Sequence, residues 1–268
     1  MPRNPPLELP SPPMTSRAPA QFATLKRPPA YLQVSERIRA AILGGQIPAG
    51  ELLPTETELA TQFGVTRSTV REAIRLLEQG GLLGRAGRKR LAVRLPSLES
   101  ASRSISVAMQ MHRVTFKDLW EISMGLEPLA ARLACATLDA QYTALLAANL
   151  ERTRAAFDDD LEMLEAEIEF HDLVARATRN HALLLAREPL NLLFYPAYRP
   201  VIERLKPGKR ILESHQKIFE AIRNNDPDTA AEWAEKHMRD FRRGILMAKL
   251  DFDGPVAATY SEGTSRTA

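Results

Sequence analysis

The chain contains one cysteine, few aromatic side chains and no hydrophobic run long enough to span a membrane as a helix. Because Cys135 is alone among 268 residues, an intrachain disulfide and a zinc finger built on cysteines are excluded. The first residues lack the apolar core of a signal peptide. With 44% hydrophobic and 26% charged residues, the composition is typical of a globular protein, and we expect a soluble, cytoplasmic protein with no membrane partner.

Proline is unevenly distributed, since nine of the 19 prolines lie in residues 1–29, which show no apolar periodicity. Such a segment cannot bury enough surface to offset its ordering entropy, and it is predicted to be a disordered tail. Residues 96–101 are predicted to be a linker, and the small-residue segment 251–268 a flexible C-terminal tail. Two folded domains remain, residues 30–95 and 102–250.

Charge distinguishes these two domains. The net charge of +3 combines +3 for residues 1–29, +4 for residues 30–95 and −4 for everything that follows. A small basic domain followed by a larger, mildly acidic one is typical of a nucleic-acid-binding protein with a separate regulatory half.

The first domain has the pattern of a helix-turn-helix. A short helix from Glu56 to Phe63 is followed by Gly64, which can adopt the left-handed backbone of a tight turn because it has no Cβ. A second helix opens on Thr66-Arg67-Ser68-Thr69, so hydroxyl and guanidinium groups lie in its first turn. Such a helix enters the major groove of DNA with its N-terminal residues at base edges and phosphates.

The flanking sequence favours a winged version of this motif over an ordinary helical hairpin with a solvated arginine stripe. Residues 34–44 are apolar on one face and are predicted to form the first helix of a three-helix unit. Leu82-Leu83 and Leu91-Ala92-Val93 are predicted to form a two-stranded wing. The basic turn between them, residues 84–90, would contact phosphates.

The second domain is predicted to be entirely helical. Breaks near residues 113, 138, 158–160, 179, 207 and 225–227 separate about seven helices, with no alternation typical of strands. The predicted fold class is therefore mainly α, with a winged helix-turn-helix domain followed by an antiparallel helical bundle.

The bundle contains a candidate metal site. Glu167 and His171 lie four residues apart and therefore share one face of a helix, while His215 and His237 lie in the middle of two later helices. A carboxylate and three imidazoles would suit a divalent transition metal with positions left for water or a ligand. Spacing alone does not bring separate helices together, so structural histidines remain the alternative at this point.

Residues 30–95 closely resemble the DNA-binding domain of the GntR family of bacterial transcription regulators. The resemblance rests on Leu53-Pro54-Thr55-Glu56, Gly64-Val65-Thr66-Arg67, Thr69-Val70-Arg71-Glu72-Ala73 and residues 77–82. It implies that DNA contacts are made by Thr66, Arg67, Thr69 and Arg71 and, at the wing tip, by Gly87 and Arg88. Thr57 stands where many relatives have arginine, so the operator sequence does not transfer from them.

Residues 115–250 are similar to the FCD-type effector domain of the FadR-like branch of that family, through residues 118–122, 126–134, 170–180, 215–226 and His237. In many relatives an acidic residue and three histidines at these positions bind zinc or a similar ion beside an effector pocket. The resemblance therefore implies a metal site at Glu167, His171, His215 and His237, with zinc favoured and nickel or manganese as alternatives. Glu167 replaces the usual aspartate.

The effector is less defined than the metal site. Relatives that sense small carboxylates usually carry an arginine where Ser123 stands, and serine cannot clamp a carboxylate with two hydrogen bonds. Either another cation serves, with Arg199 as the candidate, or the effector is not a simple organic acid. Ser123 and Arg199 are the candidate effector-binding residues.

The resulting hypothesis is a ligand-responsive transcription regulator, and we favour a repressor over an activator. It is expected to bind a palindromic double-stranded DNA operator as a homodimer and to respond to a small molecule. One alternative is a metal-free member of the family that senses an acyl-CoA. A helical di-metal enzyme is disfavoured, because Leu212 and Ala234 stand where its Glu-x-x-His pairs require glutamate. A purely architectural DNA-binding protein would leave the helical half unexplained.

Overall fold

The computed structural model describes residues 28–86, 90–95 and 97–256, which fall into two units divided between Leu95 and Pro96. The first unit contains α1 (Ala30–Leu43), α2 (Glu56–Phe63), α3 (Arg67–Gln79), β1 (Leu83–Arg85) and β2 (Leu91–Val93). The two strands are antiparallel, with Leu83 opposite Val93 and Arg85 opposite Leu91. Of the predicted wing, the turn residues 87–89 lie outside the described residues.

Local sequence determines the ends of the two helix-turn-helix helices. The Thr55 hydroxyl accepts a hydrogen bond from the Glu58 N–H, and the Glu58 carboxylate accepts one from the Thr55 N–H, which together form a capping box at the start of α2. Gly64 ends this helix with φ of 65°, the left-handed conformation predicted for the turn. The apolar faces of α1, α2 and α3 then meet in one core around Val70 and Leu77, both fully buried.

The second unit is a bundle of seven described helices. They are α4 (Leu98–Met111), α5 (Phe116–Thr137), α6 (Ala140–Ala155), α7 (Asp160–Ala177), α8 (His181–Leu205), α9 (Gly208–Arg223) and α10 (Pro227–Met247). The number of helices and every predicted break are confirmed. Side-chain caps at Thr115, Asp139, Asp159, Asn180 and Asp226 account for five of these starts.

Helix α5 lies centrally in the bundle, because it packs along α10 and also contacts α7, α8 and α9. Helix α4 packs against α8. Two apolar clusters fill the interior, one around Phe194, Phe241 and Ile245 and the other around Phe170 and Ile222. Within the described part of the chain, no helix has both the length and the apolar character needed to cross a membrane.

Two of the predicted boundaries are wrong. Helix α4 begins at Leu98, inside the predicted linker 96–101, because the Ser97 hydroxyl accepts a hydrogen bond from the Ser100 N–H and starts the helix early. The predicted flexible tail 251–268 is ordered at its start, since Phe252 is buried and its carbonyl accepts a hydrogen bond from the Lys117 N–H. Residues 257–268 of that tail, and residues 1–27, lie outside the described residues.

Candidate metal centre and nucleic-acid interface

Three helices bring the four predicted metal ligands together inside the bundle. Glu167 and His171 are one turn apart on α7, while His215 lies on α9 and His237 on α10. All four side chains are at most 3% exposed. The structure thus brings together the four residues that sequence spacing alone left separate. Burying a carboxylate or an imidazole is unfavourable unless the group has a partner, so the cluster needs one.

The distances from the Glu167 carboxylate to the three histidines fit ligands that share one ion. The Glu167 carboxylate lies 2.9 Å from His237 Nε2 and 3.3 Å from the Nε2 atoms of His171 and His215. One candidate ligand atom from each of the four residues lies within 4.8 Å of the others. Ligand atoms bound to one zinc ion at about 2.1 Å lie roughly 3.0–3.4 Å from each other.

Buried atoms without a partner also fit an ion. Glu167 Oε2 and both ring nitrogens of His215 are buried and form no hydrogen bond with the described residues. The His215 ring stacks on Phe170 with centroids 3.7 Å apart, so it cannot turn toward solvent without losing that contact. A bound cation would satisfy Glu167 Oε2 and one of the two His215 nitrogens, whereas unpaired buried polar groups cost about 1–3 kcal/mol each.

A second carboxylate, Glu127 on α5, supports the cluster from one side. One Glu127 oxygen lies 2.8 Å from His171 Nδ1, and the other accepts a 2.6 Å hydrogen bond from Arg187 Nε on α8. The Arg187 guanidinium also donates to the Tyr195 hydroxyl at 3.3 Å. Arg187 is 2% exposed, so its charge is balanced inside the protein by Glu127.

The sequence hypothesis did not include Glu127 or Arg187. The available signal was a single charged residue within an apolar stretch, Leu126-Glu127-Pro128-Leu129 in one case and Leu183-Leu184-Leu185-Ala186-Arg187 in the other. A charge on the buried face of a helix requires a partner, but the sequence does not identify which one.

Electrostatics assigns the charges of this region. Burial favours the neutral form of Glu127, but Arg187 and His171 outweigh it and lower the pKa of Glu127 to about 2. Burial lowers the pKa of His171, but Glu127 and Glu167 outweigh that effect and raise it to about 9. Burial lowers the pKa of His215 to about 4, because the attraction of Glu167 offsets it only in part. His215 is therefore neutral at pH 7, the form that ligates metals, whereas an ion bound at His171 Nε2 would have to displace a proton from that ring.

The two predicted effector residues differ in position. Ser123 is buried on α5, one turn before Glu127, and so shares a face with the cluster's supporting carboxylate. Arg199 is exposed on α8, where its guanidinium pairs with Glu203 at 2.7 Å. Arg199 stays a predicted effector contact, and a second guanidinium of the same helix, that of Arg187, lies buried beside the cluster. The reason is the helical register of α8, which directs position 199 to the surface and position 187 inward.

In the first unit, the residues predicted to contact DNA lie at the start of α3. The Thr66 hydroxyl accepts a hydrogen bond from the Thr69 N–H at 3.2 Å and therefore caps the helix. The same hydroxyl lies 2.9 Å from the Thr69 hydroxyl. Thr66 therefore has a structural role as well as the predicted contact role. Of the predicted wing-tip contacts, Gly87 and Arg88 lie outside the described residues.

Arg67 and Arg71 are exposed on α3, and both face Glu56 at the start of α2. The Glu56 carboxylate lies 3.0 Å from the Arg71 guanidinium and 3.9 Å from that of Arg67. The hydrogen bond and the charge of Glu56 raise the pKa of Arg71, and the pair holds this guanidinium beside α2. The sequence hypothesis did not include this role of Glu56, which depends on a contact 15 residues away in the chain.

A cleft of about 550 Å³ extends from these arginines to the base of the wing. Its lining includes two acidic residues, Glu56 and Glu78, and a larger basic set: Arg67, Arg71, Arg75, Arg85 and Arg90. The excess of guanidinium groups fits a polyanion, because Arg binds phosphate through two parallel hydrogen bonds.

Comparison with family models gives a match in each unit. Residues 30–93 match the model described as "Bacterial regulatory proteins, gntR family", and residues 118–240 match the FCD domain. The second match contains the whole Glu167, His171, His215 and His237 cluster.

Individual proteins are similar to this chain over most of its length. A Bacillus subtilis protein, described as the uncharacterized HTH-type transcriptional regulator YdhC, is 27% identical over 81% of this chain and 91% of its own length. The Glc operon transcriptional activator of Escherichia coli K12 is 28% identical over 84% and 92%, respectively. The HTH-type transcriptional repressor NanR of Klebsiella aerogenes is 26% identical over 77% and 81%. Among solved structures, Streptococcus agalactiae GntR aligns with a TM-score of 0.61 and 26% identity, covering 80% of this chain and 99% of that one.

Proposed function

The chain belongs to the GntR family of bacterial transcription regulators and carries an FCD domain, and from this premise we propose that it is a metal-dependent, ligand-responsive regulator. In this proposal it binds a palindromic DNA operator as a homodimer. A small metabolite bound next to the metal then changes operator affinity. The observation that carries the proposal is the convergence of Glu167, His171, His215 and His237 within the FCD domain.

DNA recognition is assigned to the first turn of α3. Arg67 and Arg71 would contact base edges or phosphates, with Glu56 orienting both guanidinium groups, and Thr66 and Thr69 would fix the start of the helix on the DNA backbone. Gly87 and Arg88 at the wing tip remain predicted contacts. A two-fold operator follows from the homodimer, because each protomer would place one recognition helix in one half-site.

Effector sensing is assigned to the buried cluster. Glu167, His171, His215 and His237 would hold a divalent ion, with zinc preferred for its nitrogen ligands and nickel or manganese as alternatives. The bound ion would supply a Lewis-acid position for a chelating effector. Four protein ligands leave one or two positions for such a molecule when the ion is five- or six-coordinate.

We favour a repressor whose operator affinity falls when the effector binds. Names among the relatives include both a repressor, from Klebsiella aerogenes, and an activator, from Escherichia coli. A coupling of about 1–3 kcal/mol between effector and operator would be enough for a 5- to 150-fold response.

Operator titration tests this proposal. With a duplex selected from random sequence by the protein itself, Arg67→Ala should weaken specific binding by about 1–3 kcal/mol if the guanidinium contacts a guanine edge. Arg103→Ala, which removes an exposed arginine of α4 paired with Glu99, is the matched control and should bind normally. If the protein selects no sequence at all, the proposed operator-binding function is wrong. An equal loss on random duplex would reduce Arg67 to a phosphate contact.

A further inference from the structure

The Glu127 carboxylate joins three helices at one point beside the candidate metal centre. It extends from α5, faces His171 on α7 through one oxygen and accepts from Arg187 on α8 through the other. All three side chains are at most 4% exposed. No solvent competes for these hydrogen bonds, so the geometry of the three groups is fixed by one another.

His171 differs from the other two histidines of the cluster in this respect. Its Nδ1 faces a carboxylate at 2.8 Å, while its Nε2 faces His237 at 3.1 Å and Glu167 at 3.3 Å. His215 has no hydrogen-bond partner at either nitrogen among the described residues. A carboxylate that holds one nitrogen of an imidazole protonated leaves the lone pair on the other, orients the ring and increases its basicity as a ligand.

Arg187 holds Glu127 from the side that does not face His171, because its guanidinium lies against the second carboxylate oxygen. The guanidinium lies 2.6 Å from the carboxylate oxygen that does not face His171. Ser123 is buried on α5 one helical turn before Glu127. A guanidinium at that position could also reach Glu127, since residues four apart are neighbours on a helix. In this chain the cation comes from α8 instead.

We propose that Glu127 and Arg187 are positioning residues for the metal centre. Arg187 fixes the Glu127 carboxylate, and Glu127 accepts a hydrogen bond from His171 Nδ1–H so that Nε2 is directed at the ion. The inference rests on the proposed metal centre and connects two further helices, α5 and α8, to the three that carry the ligands. Helix α8, which carries Arg187, also packs against α4, the first helix of the bundle.

Metal affinity measured by competition with a chromophoric chelator tests the proposal on the full chain without a histidine tag. The main variant is Glu127→Leu combined with Arg187→Met, which removes both charges together and leaves no unpaired buried ion. Zinc should bind this variant about 10- to 100-fold more weakly than the wild type. The matched control is Arg132→Ala with Asp228→Ala, which removes an exposed α5–α10 ion pair of similar length, 2.6 Å, and should leave zinc affinity unchanged.

A transplant distinguishes positioning from general support of the fold. Arg187→Met alone should weaken zinc binding, and adding Ser123→Arg should restore most of the lost affinity by supplying Glu127 with a cation from its own helix. In cobalt-loaded protein, the exchangeable Nδ1 proton of His171 should exchange slowly in the wild type and faster in Glu127→Leu/Arg187→Met. A merely structural role predicts no rescue and no change in exchange.

The outcomes separate the two proposals. If the wild type binds neither zinc nor cobalt, the metal centre itself is wrong. If the wild type binds zinc and Glu127→Leu/Arg187→Met binds it equally well, the metal centre stands and the positioning role is overturned. Should that variant fail to fold, Arg187→Met with and without Ser123→Arg decides the question, and equal affinities in the two would overturn the role of Arg187.

Discussion

Zinc is expected to raise the unfolding temperature of the helical bundle, and His215→Ala should abolish that effect. Candidate ligand atoms of the four residues lie within 4.8 Å of one another in the folded chain, although the residues are up to 70 positions apart in the sequence, so the unfolded chain offers no such site. An ion that binds only the folded state stabilises it by RT ln(1 + [L]/Kd), which is about 2.7 kcal/mol at 100-fold excess over Kd. For a unit of this size, such a gain corresponds to an increase of roughly 5–11 °C.

Calorimetry of the tag-free protein, with zinc and with a chelator, measures this shift. The difference between the two conditions is compared within each variant, so any intrinsic cost of losing the His215 ring cancels. His112→Ala and His181→Ala remove exposed histidines outside the cluster and should keep the full shift. The reasoning is refuted if zinc raises the unfolding temperature of His215→Ala as much as that of the wild type, since the ion would then bind elsewhere.

Three further predictions concern single contacts. Glu56→Gln removes the carboxylate that faces Arg67 and Arg71, so the affinity of the protein for random DNA duplex should rise about 2- to 5-fold, which is the energy scale of an exposed ion pair. An unchanged titration would show that Glu56 does not compete with phosphate for these arginines. Asp118 caps α5, and its hydrogen bonds with Thr115 lower its pKa. The ionised carboxylate therefore stabilises the folded protein above the unfolded pKa of about 4, and this contribution is lost as the pH falls through the lower folded pKa. The stability difference between the wild type and Asp118→Asn should therefore shrink below about pH 4 in urea titrations, and a constant difference would contradict the assignment. Phe252→Ala should lower the free energy of unfolding by about 3–5 kcal/mol, because the ring is buried against Phe116 and Trp120. A loss below about 1 kcal/mol would mean that the segment after α10 does not pack against α5.

The helices and the four candidate ligands could be predicted from sequence because their signals are local or repeat at helical spacing. Thr55, Thr66, Thr115 and Asp226 each cap a helix through an N–H within three residues, so the boundary is encoded where it occurs. Glu167 and His171 share a face by spacing alone. The convergence of His215 and His237 with them rested on the family resemblance, because no local rule joins three helices.

The remaining features depend on contacts between distant segments. Glu127 and Arg187 are 60 residues apart, and only the packing of α5 against α8 pairs them, so no local signal in the sequence joins them. Phe252 docks on the start of α5, which its small-residue surroundings did not indicate. The start of α4 at Leu98 was missed because the cap residue, Ser97, follows directly after a proline that was interpreted as a break.

The proposed function depends on a single transition-metal ion held by Glu167, His171, His215 and His237. Elemental mass spectrometry of protein purified without a histidine tag or chelator measures it directly, with His215→Ala and His181→Ala prepared in parallel. The account predicts about one zinc, nickel or manganese ion per chain in the wild type and in His181→Ala, and a clear loss in His215→Ala. Wild-type protein that contains no such ion and takes none up from added zinc, nickel or manganese would contradict it.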